Sequence, residues 1–273
     1  IRAIRDNVTI LMMTSENGHA DVVKLLLDKG AIVNAKTNSD NVTALMLASA
    51  NGHSEVVKGL LNEGADVNAR RTSDDATALI MALEKHHPET AILLLEKGAD
   101  AKVKRTFDKI TALMLASENG YAVVVKQILD KDSDVNAKKK PEGATALMLA
   151  SQNGHAEVVK LLLEKGANIN AKTIFGDVTA LILASQNGHL DVVKILLGKS
   201  AEVNAKRATD NATALILASE NGHSDVVKLL LDKGASVNIK ARVSGVDYTA
   251  LKIAKKNNRI KIIEALEKAG AKE

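Results

Sequence analysis

Thr145-Ala-Leu-Met-Leu-Ala-Ser-Gln-Asn-Gly-His155, followed by Glu157-Val-Val-Lys-Leu-Leu-Leu163 and Gly166-Ala-Asn-Ile-Asn-Ala171, is one copy of a pattern that fills the chain. Its opening threonine returns as Thr9, Thr43, Thr77, Thr111, Thr145, Thr179 and Thr213, each 34 residues after the last, and an eighth copy opens two residues late at Thr249. A fixed period of this length predicts a stacked array, in which each unit buries its apolar face only against its neighbours. The copies run approximately over residues 7–40, 41–74, 75–108, 109–142, 143–176, 177–210, 211–244 and 245–273, in one array over residues 1–273.

Within a copy the residues predict helix, turn, helix, hairpin. Thr43 stands before Ala44-Leu-Met-Leu-Ala48, where its hydroxyl can accept from an orphan backbone amide at a helix start. Gly52 after Asn51 suits a left-handed residue closing that helix. Glu55-Val-Val-Lys-Gly-Leu-Leu61 then places apolar residues at i, i+1, i+4 and i+5, one face of a second helix, which Gly64 stops. Val67-Asn-Ala69 leads into an exposed hairpin with Asp and Asn at its turn.

These units resemble ankyrin repeats, whose pattern is T-P-L-H-x-A-A, G-H, V-V-x-L-L-L and G-A-D-V-N-A. The resemblance covers essentially the whole chain. It implies an all-α fold, an ankyrin-repeat solenoid of stacked helix-turn-helix units joined by β-hairpin-like loops. It also implies protein partners held on a concave face built by hairpin tips and first helices. The family's proline is alanine at Ala44, Ala78 and Ala112, its histidine is Met46, Met114, Met148, Ile80, Ile182 or Ile216, and the extra residue per copy falls in the hairpin.

Composition bounds the function. The chain has 273 residues, no Cys, no Trp, two Phe, two Tyr and a formal net charge of +4. Missing cysteine excludes disulfides and thiol catalysis. Missing aromatics fit a core layered from Ala, Leu, Val and Met. No apolar run approaches the ~20 residues that span a bilayer. The charge surplus is too small to argue for nucleic acid. The cytoplasm is favoured slightly, with a secreted effector as the alternative. The last copy, Thr249-Ala-Leu-Lys-Ile-Ala-Lys-Lys-Asn-Asn-Arg259, is charged like a capping repeat that meets water. Ile1-Arg-Ala-Ile-Arg-Asp6 runs straight into an ordinary repeat, so more chain is expected upstream of Ile1.

No Walker-type or G-x-G-x-x-G glycine cluster and no H-E-x-x-H motif occurs. His19, His53, His87, His155, His189 and His223 fall in one column, ten after each threonine, with Tyr121 and Arg259 in the other two places. Packed helices lie roughly 8–10 Å apart, whereas zinc needs ligands about 2 Å from the metal, so the column reads as turn histidines bonding nearby backbone. Of the local pair His86-His87, neither side has a third ligand near in sequence. No catalytic residue, cofactor or metal site is expected. The third copy departs: His86 takes the helix-ending glycine's place, and Ala101-Lys-Val103 replaces Val-Asn-Ala. It reads as a weak joint or as drift in one unit.

The first helices are nearly identical from copy to copy, whereas the tips vary. One tip column runs Ser39, Ser73, Phe107, Pro141, Phe175, Thr209, Val243 and holds both phenylalanines of the chain, with Ile174 beside Phe175. Phe107 and Phe175, two repeats apart, are expected about 20 Å from each other at ~10 Å per layer. Exposed rings on one edge mark a contact site or fold onto the neighbouring hairpin. The seven hairpins together carry +6, from residues that include Arg71, Arg105, Lys139, Lys140, Arg207 and Arg242. This suits an acidic protein partner or a solvated fringe. Nucleic acid is disfavoured, because no stacking platform of aromatics exists. The reading is a non-enzymatic, monomeric scaffold for protein–protein interaction that binds through hairpin tips and concave face. The alternatives are a targeting arm whose enzyme lies upstream of residue 1, and an engineered scaffold.

Overall fold

The computed structural model describes residues 5–243 and 245–272, and nothing is stated of the side chains of Arg5 and Val243. Ile1–Ile4, Ser244 and Glu273, which the readings of the two ends and the last tip touched, lie outside the described residues. The described residues gather into two compact units. One comprises residues up to 116 with 121–134, the other residues 117–120 with those from 135 on.

The first unit holds the helix pairs α1 (Ile10–Glu16) and α2 (Ala20–Asp28), α3 (Ala44–Ala50) and α4 (Ser54–Asn62), and α5 (Ala78–Glu84) and α6 (Pro88–Glu96). Next come α7 (Ala112–Glu118) and α8 (Ala122–Leu129). First helices pack on first helices, α1 on α3 on α5, and second helices on second helices, α2 on α4 on α6 on α8. The second unit repeats the plan with α9 (Ala146–Gln152) and α10 (Ala156–Glu164), α11 (Ala180–Gln186) and α12 (Leu190–Gly198), α13 (Ala214–Asn221) and α14 (Ser224–Asp232), and α15 (Ala250–Lys256) and α16 (Ile260–Lys268). The expected all-α solenoid of helix-turn-helix units is what forms. The only paired strands among the described residues are β1 (Ala241–Val243) and β2 (Val246–Tyr248), antiparallel in the last hairpin.

The threonine column caps the first helices. Thr43 accepts from the Met46 amide at 3.2 Å, Thr145 from Met148 at 3.4 Å and Thr213 from Ile216 at 3.4 Å. Each such cap contributes about 1 kcal/mol. Three residues on, Met12, Met46, Ile80, Met114, Met148, Ile182 and Ile216 are all buried. This is where the family pattern has its histidine, and here the position is core. The second helices bury their own apolar face, Val158, Val159 and Leu162 in α10 and Val23 alone in α2. The first repeat shows what stacking covers: Val22 is 43% exposed, while its counterpart Val56 is 2% exposed.

Candidate functional site

The hairpin tips are the variable part of the chain, and those opening at Thr37, Arg71, Arg105, Lys139, Thr173 and Arg207 share a backbone bond from the first residue to the carbonyl of the sixth. Arg71 N–H donates to Ala76 C=O at 2.9 Å and Asp75 N–H to Arg71 C=O at 2.9 Å; Thr173 with Val178, and Arg207 with Ala212 and Asn211, repeat the pattern. Closure needs a left-handed residue at the fifth tip position. Asn41, Asp75, Lys109, Asp177 and Asn211 have φ between 49° and 62° there, and Gly143 has 77°. The side chains of Asn and Asp tolerate this conformation better than most, which accounts for the column.

Two side-chain solutions stabilise the turn. In one, a threonine opens the tip and accepts the amide five residues on: Val42 N–H to Thr37 Oγ1 and Val178 N–H to Thr173 Oγ1, both at 3.0 Å. In the other, an arginine opens the tip and grips an aspartate three residues on, and that aspartate accepts the corresponding region's amide. Arg71 holds Asp74 by two hydrogen bonds of 2.9 and 2.7 Å, and Asp74 accepts from Ala76 N–H at 3.0 Å. Arg207, Asp210 and Ala212 repeat this. Arg105 holds Asp108 and also reaches Glu84 of α5. These guanidiniums hold the carboxyls of Asp74, Asp108 and Asp210 below the usual aspartate range, chiefly through the hydrogen bonds. Burial pushes Glu84 the other way, upward, and outweighs the opposing field of Arg105. Arg71, Arg105 and Arg207, expected as partner-facing cations, therefore have an architectural partner inside their own tip.

Adjacent tips are tied together. Asn38 N–H donates to Asp6 C=O, Thr72 to Asp40 and Thr106 to Asp74 at 2.8–3.1 Å. In the second unit Ile174 N–H donates to Glu142 C=O, Ala208 to Gly176 and Arg242 to Asp210, at 2.7–2.8 Å. The tips are thus ordered structure and not a loose fringe.

On this ordered edge the apolar side chains stand out. Phe107 is 74% exposed in the first unit; in the second, Phe175 is 66% and Ile174 60% exposed. Ile174 lies against the preceding tip, where a Cβ on Gly143 would come within 2.6 Å of its Cγ1. Thr173 Oγ1 donates to Phe175 C=O at 2.9 Å and fixes the backbone under the ring. Lys140, Pro141 and Arg242 are exposed, and Lys139 is half-buried.

The histidine column plays a part that the sequence reading placed too close to home. His53, His155, His189 and His223 meet through Nε2 the carbonyls of Glu16, Glu118, Gln152 and Gln186 at 2.9–3.0 Å. Each partner lies one repeat earlier, so the bond joins repeats and not a turn to itself. Each ring also lies on the glycine of that earlier turn. Where His86 replaces the glycine it keeps a left-handed φ of 62°, and Tyr121 stands above it with Oη 3.5 Å from His86 Nδ1. Among the described residues no group of three or more His, Cys, Asp and Glu side chains is placed to hold a metal ion.

Sequence reasoning missed one further column. Asn34 Nδ2 donates to Gly64 C=O while its Oδ1 accepts from Asp66 N–H, and Asn136 does the same to Gly166 and Asn168. Asn170 and Asn204 accept likewise from Glu202 and Ser236. The Val-Asn-Ala motif is visible in the sequence, but its partner 30 residues on is not.

Shallow grooves open between outer helices where a small residue stands in the leucine column of Leu25, Leu93 and Leu161. Gly59 opens one of about 380 Å³ between α2 and α4, and Ala265 one of about 490 Å³ between α14 and α16. Their linings mix lysines with carboxylates and do not converge on a reacting point. Among the described residues no helix is long and apolar enough to cross a membrane. A family model described as ankyrin repeats (3 copies) matches residues 2–71, 79–173, 113–207 and 181–272. No curated protein matches the chain.

Proposed function

Because this chain belongs to the ankyrin-repeat family, whose members are typically non-catalytic modules of protein–protein interaction, we propose that it is a scaffold that binds a protein partner along its hairpin tips. The observation that carries this reading is the exposure of Phe107, Ile174 and Phe175 on tips whose backbones are tied in place. An ordered tip loses little conformational entropy on docking, so the buried area of its rings is retained as affinity. Exposed apolar groups on a rigid edge are the pattern of a recognition site. Lys139 and Lys140, on the tip before Ile174 and Phe175, and Arg242, on the last hairpin, supply positive charge, and Arg71, Arg105 and Arg207 keep the tips in shape. The partner is a protein with an apolar surface flanked by acidic groups.

The test is to recover the partner with the whole chain and measure its affinity for two variants, Phe107→Ser and Ile174→Ser/Phe175→Ser. Hot-spot side chains cost about 2 kcal/mol or more each, so the dissociation constant should rise about thirtyfold or more. Melting temperatures should barely move, because exposed positions usually change stability by less than about 0.5 kcal/mol. An unchanged affinity in both variants, or a large fall in melting temperature, would overturn the reading.

A further inference from the structure

The last hairpin and the helix after it gather positive charge around one ring. Residues 240–273 hold nine Lys and Arg against four Asp and Glu, while the whole chain has a surplus of four. The balance of positive charge therefore lies at this one end. Tyr248 ends β2 just before the cap of α15. Lys252 and Lys256 are one turn apart on α15 and share a face. Their Nζ atoms lie 5.2 and 5.1 Å from the centre of the Tyr248 ring. Lys252 also donates to Asp247 C=O at 3.0 Å, which fixes its ammonium beside the hairpin. Arg242 is exposed on β1, in register with Asp247 of β2.

Capping alone does not explain this arrangement. A repeat that meets water needs polarity, and either sign supplies it. Yet α15 carries Lys252, Lys255 and Lys256 and no acidic residue. The two lysines on the ring also stand where other repeats have something else. The place of Lys252 is a buried Met or Ile in the earlier repeats, and the place of Lys256 is Glu16, Glu84, Glu118 and Glu220 in four of them and the uncharged Ala50, Gln152 and Gln186 in the others. The ring stands where Val42, Ala76, Ala144, Val178 and Ala212 stand elsewhere. Each ammonium is attracted to the face of the tyrosine. Placed one turn apart on the same helix face, the two repel one another, and an anion between them removes that repulsion.

We propose that Tyr248, Lys252 and Lys256 form a docking site for an acidic segment of a protein partner, one carboxylate seated between the two ammoniums. The phenol ring supplies apolar area for the side chain next to that carboxylate. The proposal rests on the reading of the chain as a protein-binding array, at a place other than the tip phenylalanines. An acidic peptide fits better than a nucleic acid, because a single ring offers no stacking platform for successive bases.

The probe is a synthetic dodecapeptide of Glu and Leu residues, titrated calorimetrically into the whole chain at low and at physiological ionic strength. The expected result is saturable one-to-one binding that weakens with salt. Lys252→Gln/Lys256→Gln should weaken it about tenfold or more, as loss of close charge pairs does, and Lys252→Met, the side chain of other repeats, should act in the same direction. Lys160→Gln/Lys194→Gln removes the same charge from α10 and α12, where both lysines are exposed, and should leave affinity within about twofold, as expected for an independent site. Equal losses in both double variants, absence of saturable binding, or tighter binding of a single-stranded oligonucleotide through the same lysines would overturn the proposal. Because the probe contains no natural partner, its failure leaves the tip reading standing, and the tip variants test that reading separately.

Discussion

A methyl group at Gly154 would come within 2.6 Å of His189 Nδ1, and the same glycine has φ of 80°. Glycine is therefore required twice over in this column, once for the backbone and once for the ring of the following repeat. This explains why the two oddities of repeats three and four are a single change. His86 brings a Cβ to the place where a histidine ring would lie, and the next residue in the ring column is Tyr121. A left-handed residue other than glycine costs about 1–2 kcal/mol, so His86→Gly should stabilise the chain. Tyr121→His alone should destabilise it, since the shorter ring meets His86. Together the two changes should rebuild the glycine–histidine contact, with a coupling of about 1 kcal/mol in a thermal-denaturation cycle. Additive effects would separate the two sites. The glycine, the histidine and both departures are legible in the sequence. That they touch is not, because the contact spans 35 residues and exists only once the repeats stack.

At the scale of elements, the arrays of helices follow from short-range signals, and the ties between them do not. Thr145, the apolar run after it and Gly154 are enough to place α9 and its end, because capping and left-handed closure are local. The tip arginines show the converse. Arg71 is legible as tip charge, but its grip on Asp74 at 2.7 Å forms only once the turn brings the two together. The asparagine clamp is invisible for a third reason, since Asn136 bonds a loop 30–32 residues away. Lys102 occupies the clamp position in the third repeat and cannot both donate and accept. Its surroundings show Lys104 paired with Asp134 at 3.2 Å and Ser133 Oγ donating to Ala101 C=O at 3.4 Å. Restoring the amide with Lys102→Asn should add about 1–2 kcal/mol, the net value of one or two hydrogen bonds. Asn136→Lys should lose a similar amount. Urea titrations of the two variants check both signs, and a neutral Lys102→Asn beside a costly Asn136→Lys would show that the third repeat already has an equivalent tie.

At the scale of the molecule, the proposed function rests on a division of labour that one sequence already displays. First helices repeat with little change because each must fit the next, so they carry little information about a partner. The tips are released from that demand except for their closure, which Thr or an Arg–Asp pair supports in five of them, and their remaining positions are free to vary. Exposed apolar side chains at those positions, Phe107, Ile174 and Phe175, are the feature that neither stacking nor closure requires. The measurement that bears most directly on this claim is a hydrogen-exchange footprint of the chain with and without its recovered partner. The account predicts slower exchange on binding in the tips, at residues 105–109, 139–142 and 173–177, with the outer helices α2, α4, α10 and α12 unchanged. Protection confined to those outer helices, with the tips exchanging as in the free chain, would contradict it.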